Sequence, residues 1–135
     1  CTAIDISDDA VALSKRNAEK LGLASVYDAS RRSASELEGA FDFIVSNPPY
    51  IPSQDLQGLD AEVVDFEDPR ALDGGADGLV VARQLLDRAP LVLRGERKSV
   101  WLELDETGPA LLSRSCACES FVDLAGKERF ARVDF

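Results

Sequence analysis

Residues 41–52 read FDFIVSNPPYIP, and this stretch constrains the fold most. Residues 41–46 are strand material, and their near-continuous apolar character predicts burial on both faces, as in a parallel sheet. Pro48 and Pro49 each remove a backbone donor and fix a φ angle, so the strand cannot continue past Asn47. The proline after it pushes Asn47 toward an extended conformation. The expected product is a rigid, donor-poor loop at the strand's C-terminal end, presenting an amide, bare carbonyls and the Tyr50 ring.

The remaining elements follow from period and punctuation. Residues 1–6 form a short strand with Asp5 near its end. Ser7 is a suitable N-cap, Asp8 and Asp9 suit a first helical turn, and Lys15, Arg16 and Lys20 suit the last, giving a helix over 8–21 before Gly22. A second, more polar strand is expected at 24–29, then a loop with one helical turn over 30–39. Residues 54–72 read as irregular and acidic, and Asp73–Gly78 as a tight glycine-rich turn. An amphipathic helix from Leu79 ends at Pro90 or extends to Leu93. A strand at 99–104, a helix at 108–116 and a hairpin of 121–124 with 129–135 complete the chain. This order indicates an α/β sheet with crossover helices and a C-terminal antiparallel hairpin. Ligands of such sheets bind beyond the C-terminal strand ends, where Asp5 and Asn47 both fall.

Composition narrows the function. The 135 residues suit one domain, and no apolar run approaches membrane-spanning length. Net charge is −10, which opposes long-range capture of a polyanion and argues against a nucleic-acid partner. The densest basic stretch, Arg94, Arg97 and Lys98, contains Glu96 and reads as a solvated turn. There is no histidine, which removes His-based catalysis and metal binding, and no metal site is expected. Cys1, Cys116 and Cys118 make no disulfide framework and read as ordinary thiols in a reducing compartment.

Asp5 reads first as a cap for the following helix or as simply exposed. A carboxylate at that strand end can also accept both hydroxyls of a ribose. Asn47-Pro48-Pro49-Tyr50 is more specific. A planar amide or amino nitrogen is a poor nucleophile, because its lone pair is delocalised into the adjacent π system. An enzyme that alkylates it must hold both N–H groups in acceptors and aim the nitrogen at the electrophile. The Asn47 side-chain carbonyl and the Pro48 backbone carbonyl can be those acceptors, with Tyr50 lying over the planar group.

VSNPPYIP resembles motif IV of S-adenosylmethionine-dependent amino-methyltransferases. Together with Glu67-Asp68-Pro69, with ALDGGADGL at 71–79 and with DLAGKER at 123–129, it resembles the HemK-type protein-(glutamine-N5) methyltransferases, over nearly the whole chain. That resemblance implies a partial Rossmann-like class I methyltransferase sheet and S-adenosylmethionine as cofactor. It implies as substrate the glutamine of the GGQ motif in peptide chain release factors, in the cytoplasm or the mitochondrial matrix. Residue by residue it implies that Asp5 binds the cofactor ribose and that Asn47 and Pro48 hold the target amide. Pro49 and Tyr50 line the substrate beside them, Asn47 also borders the cofactor, and Asp28 stands in for an adenine-contacting acid.

Three departures accompany the resemblance. The family's glycine-rich loop, first strand and N-terminal helical domain lie upstream of the ribose acid, where this sequence begins. The absence of methionine fits a chain cut from something longer. The whole of 1–135 therefore reads as an incomplete catalytic domain, expected to bind cofactor weakly and to be inactive in isolation. In family register Ser30 or Arg31 occupies the place of the adenine acid. Gly95-Glu96-Arg97 replaces a more glycine-rich turn. The alternatives are a nucleic-acid amino-methyltransferase, acting on adenine N6 or guanine N2, and a truncated inactive paralogue.

Overall fold

A computed structural model describes the chain over residues 1–96 and 98–135. Arg97, part of the basic stretch and of the turn singled out above, lies outside the described residues. Two units are distinguished, Cys1–Glu38 and Gly39–Phe135.

In the first unit, β1 (Thr2–Asp5) leads into α1 (Asp8–Lys20) and then β2 (Asp28–Arg31). Ser7 caps the helix as its sequence predicts: its backbone is extended and its Oγ accepts the Ala10 N–H at 3.4 Å. β1 and β2 pair in parallel, with Thr2 opposite Asp28 and Asp5 opposite Arg31. Ala18 of α1 and Ala29 of β2 are buried. The second strand begins four residues later than residues 24–29 suggest. The Leu23 N–H donates to the Ala18 carbonyl and the Val26 N–H to the Leu23 carbonyl, at 2.8 and 3.0 Å, so this segment is committed to a turn. A single 3₁₀ turn, Ala34–Glu36, follows, closed by a Ser33–Glu36 capping box.

The second unit contains β3 (Phe43–Ser46), α2 (Ala61–Phe66), α3 (Pro69–Leu72), α4 (Val80–Val92), β4 (Ser99–Glu103), α5 (Gly108–Leu112), β5 (Glu119–Val122) and β6 (Glu128–Asp134). Its sheet runs β3-β4-β6-β5, with β3 parallel to β4 and the other pairs antiparallel. The paired strands are therefore β1-β2 in the first unit and β3-β4-β6-β5 in the second. Val100 and Leu102 of β4, and Ala131 and Val133 of β6, alternate onto one face of this sheet and are buried. α4 and α5 contact these strands and bury Ala82, Leu85, Ala89, Val92 and Leu112. On the other face Trp101 and Phe121 lie 5.1 Å apart, and the Arg132 guanidinium carbon sits 5.5 Å from the Trp101 ring centroid.

β3 departs from its expected burial on both faces. It is the edge strand of its sheet, and Phe43 and Val45 are 60% and 70% exposed. The run 54–72 is more ordered than its composition implies. Asp68 accepts the Arg70 N–H at 2.9 Å and Pro69 takes the first turn of α3, where a missing donor costs nothing. α4 passes through Pro90, because so near its end the proline forfeits only one hydrogen bond. The Leu93 N–H then closes onto the Ala89 carbonyl at 2.8 Å. α5 stops at Leu112 rather than 116. The Ser113 and Ser115 hydroxyls donate to the Ala110 and Leu112 carbonyls at 2.8 and 2.9 Å and compete with helix continuation. The hairpin turns on Asp123, whose Oδ1 accepts the N–H groups of Ala125 and Lys127 at 2.8 and 2.9 Å.

Five carboxylates are held below their ordinary range by such bonds. The Ser33 backbone N–H does so for Glu36, Arg70 for Asp68, the Ser53 hydroxyl for Asp73, Arg83 for Asp77 and the Lys127 N–H for Asp123. Groups whose folded pKa is depressed stabilise the fold above their unfolded pKa, about 4, and lose that contribution as pH falls through the lower folded value. The urea midpoint is therefore expected to fall between pH 5 and pH 2.5. Equal midpoints at both pH values would contradict it.

Candidate active site

Asp5 is the last residue of β1 and is exposed. Its Oδ1 accepts the Ser7 N–H at 2.8 Å, while Oδ2 accepts no hydrogen bond among the described residues. A fixed carboxylate with one oxygen free, at a C-terminal strand end, fits the hydroxyls of a ribose. Asp28 stands elsewhere. It starts β2 opposite Thr2, whereas Arg31 lies opposite Asp5, so Asp28 is three residues, about 10 Å, back along the strand pair. The Arg31 Nε–H donates to the Ile6 carbonyl at 3.1 Å, so the strand end that faces Asp5 carries a cation instead.

Asn47 follows the last residue of β3 directly. Its side chain is exposed, and neither its amide nor the Pro48 carbonyl has a hydrogen-bond partner among the described residues. Pro48 is buried, and Pro49 and Tyr50 are half-buried. The loop thus pins its proline ring while leaving two acceptors unfilled. That is the arrangement an amide with two N–H groups requires. Asp5 and Asp28 belong to the first unit, and Asn47, Pro48, Pro49 and Tyr50 to the second.

An open recess of about 400 Å³ adjoins Asn47 and is lined by Phe43, Val45, Ser46, Trp101, Leu102, Glu103 and Phe130. The place of Trp101 and Phe130 in this recess was not legible from motif reading, because only strand pairing brings 101 and 130 beside 47. Their place on alternating strand positions was the available signal.

Residues 1–99 match the family profile described as methyltransferase small domain. The chain belongs to the methyltransferase small domain family. Among curated relatives, the release factor glutamine methyltransferase of Rhodospirillum rubrum is 41% identical over 138 residues, covering 93% of this chain and 41% of that protein. Its human counterpart, the MTRF1L release factor glutamine methyltransferase, is 38% identical, covering 82% of this chain and 35% of its own length. The chain therefore spans about two fifths of the relatives it matches. Solved structures share the fold. The human METTL16 catalytic domain, solved with an RNA hairpin, aligns with a TM-score of 0.59 at 15% identity over 97% of this chain and 54% of that one. A putative methyltransferase, SMU.472, solved with S-adenosylhomocysteine, gives 0.56 at 18% identity over 99% and 30%. This methyltransferase small domain has the Rossmann-like class I methyltransferase fold, with a C-terminal antiparallel hairpin. No helix among its described residues is long and apolar enough to cross a membrane.

Proposed function

We propose that this chain carries the substrate-binding part of a protein-(glutamine-N5) methyltransferase acting on the GGQ glutamine of peptide chain release factors. The observation that carries the reading is the pair of unfilled acceptors, Asn47 Oδ1 and the Pro48 carbonyl, on a loop anchored by buried Pro48. S-adenosylmethionine, when bound, supplies an electrophilic methyl group on a sulfonium. Asn47 and Pro48 take the two N–H groups of the glutamine amide, which fixes the plane of the amide and points the nitrogen lone pair along one line. Tyr50 packs against that plane and limits its rotation. Asp5 Oδ2 holds a ribose hydroxyl, with Oδ1 kept in place by the Ser7 N–H. With the amide so held, a bound S-adenosylmethionine would supply its methyl group to that nitrogen and leave as the thioether, and the amide proton would pass to solvent without a dedicated base.

The names of the relatives support release factor as substrate. The second reading, methylation of a nucleic-acid amino group, uses the same acceptors. A net charge of −10 weighs against it.

The test is incubation of the native full-length protein with methyl-labelled S-adenosylmethionine and either release factor or DNA. Label on the GGQ glutamine is expected. Label on DNA alone would overturn the protein-substrate reading. Asp5→Ala is expected to weaken cofactor binding about tenfold, the cost of a hydrogen bond to a charged group. Unchanged affinity would remove Asp5 from the ribose site.

A further inference from the structure

The loop after β3 has few backbone donors of its own with which to fix its position. Of residues 47–53, Pro48, Pro49 and Pro52 have no N–H, so Asn47, Tyr50, Ile51 and Ser53 are the only backbone donors. Two of those four reach the segment around Asp73. The Ile51 N–H donates to the Leu72 carbonyl at 3.0 Å and the Ser53 N–H to the Gly75 carbonyl at 2.9 Å. In return the Gly74 N–H donates to the Ile51 carbonyl at 2.8 Å, and the Ser53 hydroxyl donates to Asp73 Oδ1 at 2.6 Å. Asp73 Oδ1 also accepts the Gly75 N–H at 2.9 Å, so one carboxylate oxygen ties both segments together.

Two glycines make this approach possible. A Cβ on Gly74 would stand 2.7 Å from the Pro49 carbonyl oxygen, and one on Gly78 would stand 2.3 Å from the Tyr50 carbonyl oxygen. Both contacts are with backbone, which cannot swing aside as a side chain can. Gly78 also has φ +77, a region that side chains disfavour. The Gly74 carbonyl in turn accepts the Val80 N–H at 2.9 Å, which ties the segment to the start of α4.

We propose that Ser53, Asp73, Gly74 and Gly78 are positioning residues that lock the Pro48–Tyr50 backbone at the spacing needed to grip the substrate amide. The proposal rests on the amide-binding reading of Asn47 and Pro48. The ALDGGADGL segment acts as a second ply behind the loop and touches no substrate. A displacement of about 1 Å in such a loop is enough to lower turnover about a hundredfold.

The test compares Gly78→Ala, Ser53→Ala, Ser53→Thr and Gly58→Ala in the native full-length protein. It reads glutamine methylation, cofactor affinity, melting temperature and amide exchange at Ile51 and Ser53. Gly78→Ala is expected to lower turnover ten- to a hundredfold and to speed exchange at both amides, with cofactor affinity within twofold of wild type. Ser53→Ala should show a smaller loss of about three- to tenfold, which Ser53→Thr restores by returning the hydroxyl. Gly58 has open space around its missing Cβ, and its substitution should change nothing. If Gly78→Ala fails to fold, the two Ser53 variants decide. Wild-type turnover and unchanged exchange in Ser53→Ala would overturn the proposal. So would a loss that tracks melting temperature alone and is not restored by Ser53→Thr. If the wild-type protein transfers no methyl to glutamine, the amide-binding reading fails. Exchange at Ile51 and Ser53 then decides the clamp by itself: faster in Ser53→Ala supports it, unchanged overturns it.

Discussion

Asn47→Ala is expected to lower methyl transfer to glutamine by at least a hundredfold while leaving the fold intact. Asn47 is exposed and its amide has no hydrogen-bond partner among the described residues, so its removal leaves no internal group unsatisfied. Stability should therefore stay within about 0.5 kcal/mol of wild type, as for surface substitutions generally. The catalytic loss follows from the loss of one of two preorganised polar contacts to the reacting group. Removal of a comparable contact elsewhere costs about 10²–10³ in turnover. Labelled methyl incorporation at saturating cofactor measures it. Asn47→Asp keeps an acceptor oxygen at the same place and should retain more activity than Asn47→Ala. An Asn47→Ala protein that methylates at more than a tenth of the wild-type rate would remove Asn47 from the reacting group.

Leu102→Ala is expected to cost the largest share of stability of any substitution considered, about 2–5 kcal/mol. Leu102 is 1% exposed near the C-terminal end of β4, opposite Ser46 on one side and Ala131 on the other. Its truncation opens a cavity between the sheet and the helices that cover this face, which cannot close without shifting one against the other. With total stability of about 5–15 kcal/mol for a domain, that is a substantial fraction. Ser46 immediately precedes Asn47, so any relaxation of β4 is passed to the acceptor loop and activity should fall with stability. Val45→Ala supplies the contrast. Val45 is 70% exposed, and its truncation should lower the urea midpoint little. Equal losses for Leu102→Ala and Val45→Ala would mean that the sheet's packed and open faces have been assigned the wrong way round.

The parts of the fold legible in the sequence were those set by local chemistry. Ser7 and the acids after it fix the start of α1, and the prolines at 48 and 49 end β3 where expected. The Asp123 turn likewise follows from its own loop residues. The start of β2 at Asp28 rather than at 24 differs from expectation because residues 24–27 can form either a strand or a turn. A tertiary bond from Leu23 back to Ala18 decided between them. The burial of β3 was misjudged because an apolar run reports preference and not whether a neighbour is present. The strand-end positions of Asp5 and Asn47 could be read from local pattern. The Ser53–Asp73 tie could not, since its partners lie twenty residues apart and neither is unusual alone.

The two prolines that present the acceptors also have a bearing on solubility. β3 is the edge of its sheet and leaves one row of backbone groups unpaired beside Phe43 and Val45, a template on which other chains can add strands. That row is only four residues long, from Phe43 to Ser46. Beyond it Asn47 is followed by two residues with no N–H to offer. A strand arriving from outside would therefore run out of donors at the point where the proposed acceptor loop begins. The same rings that stiffen the loop also keep the edge short, which limits edge-to-edge pairing.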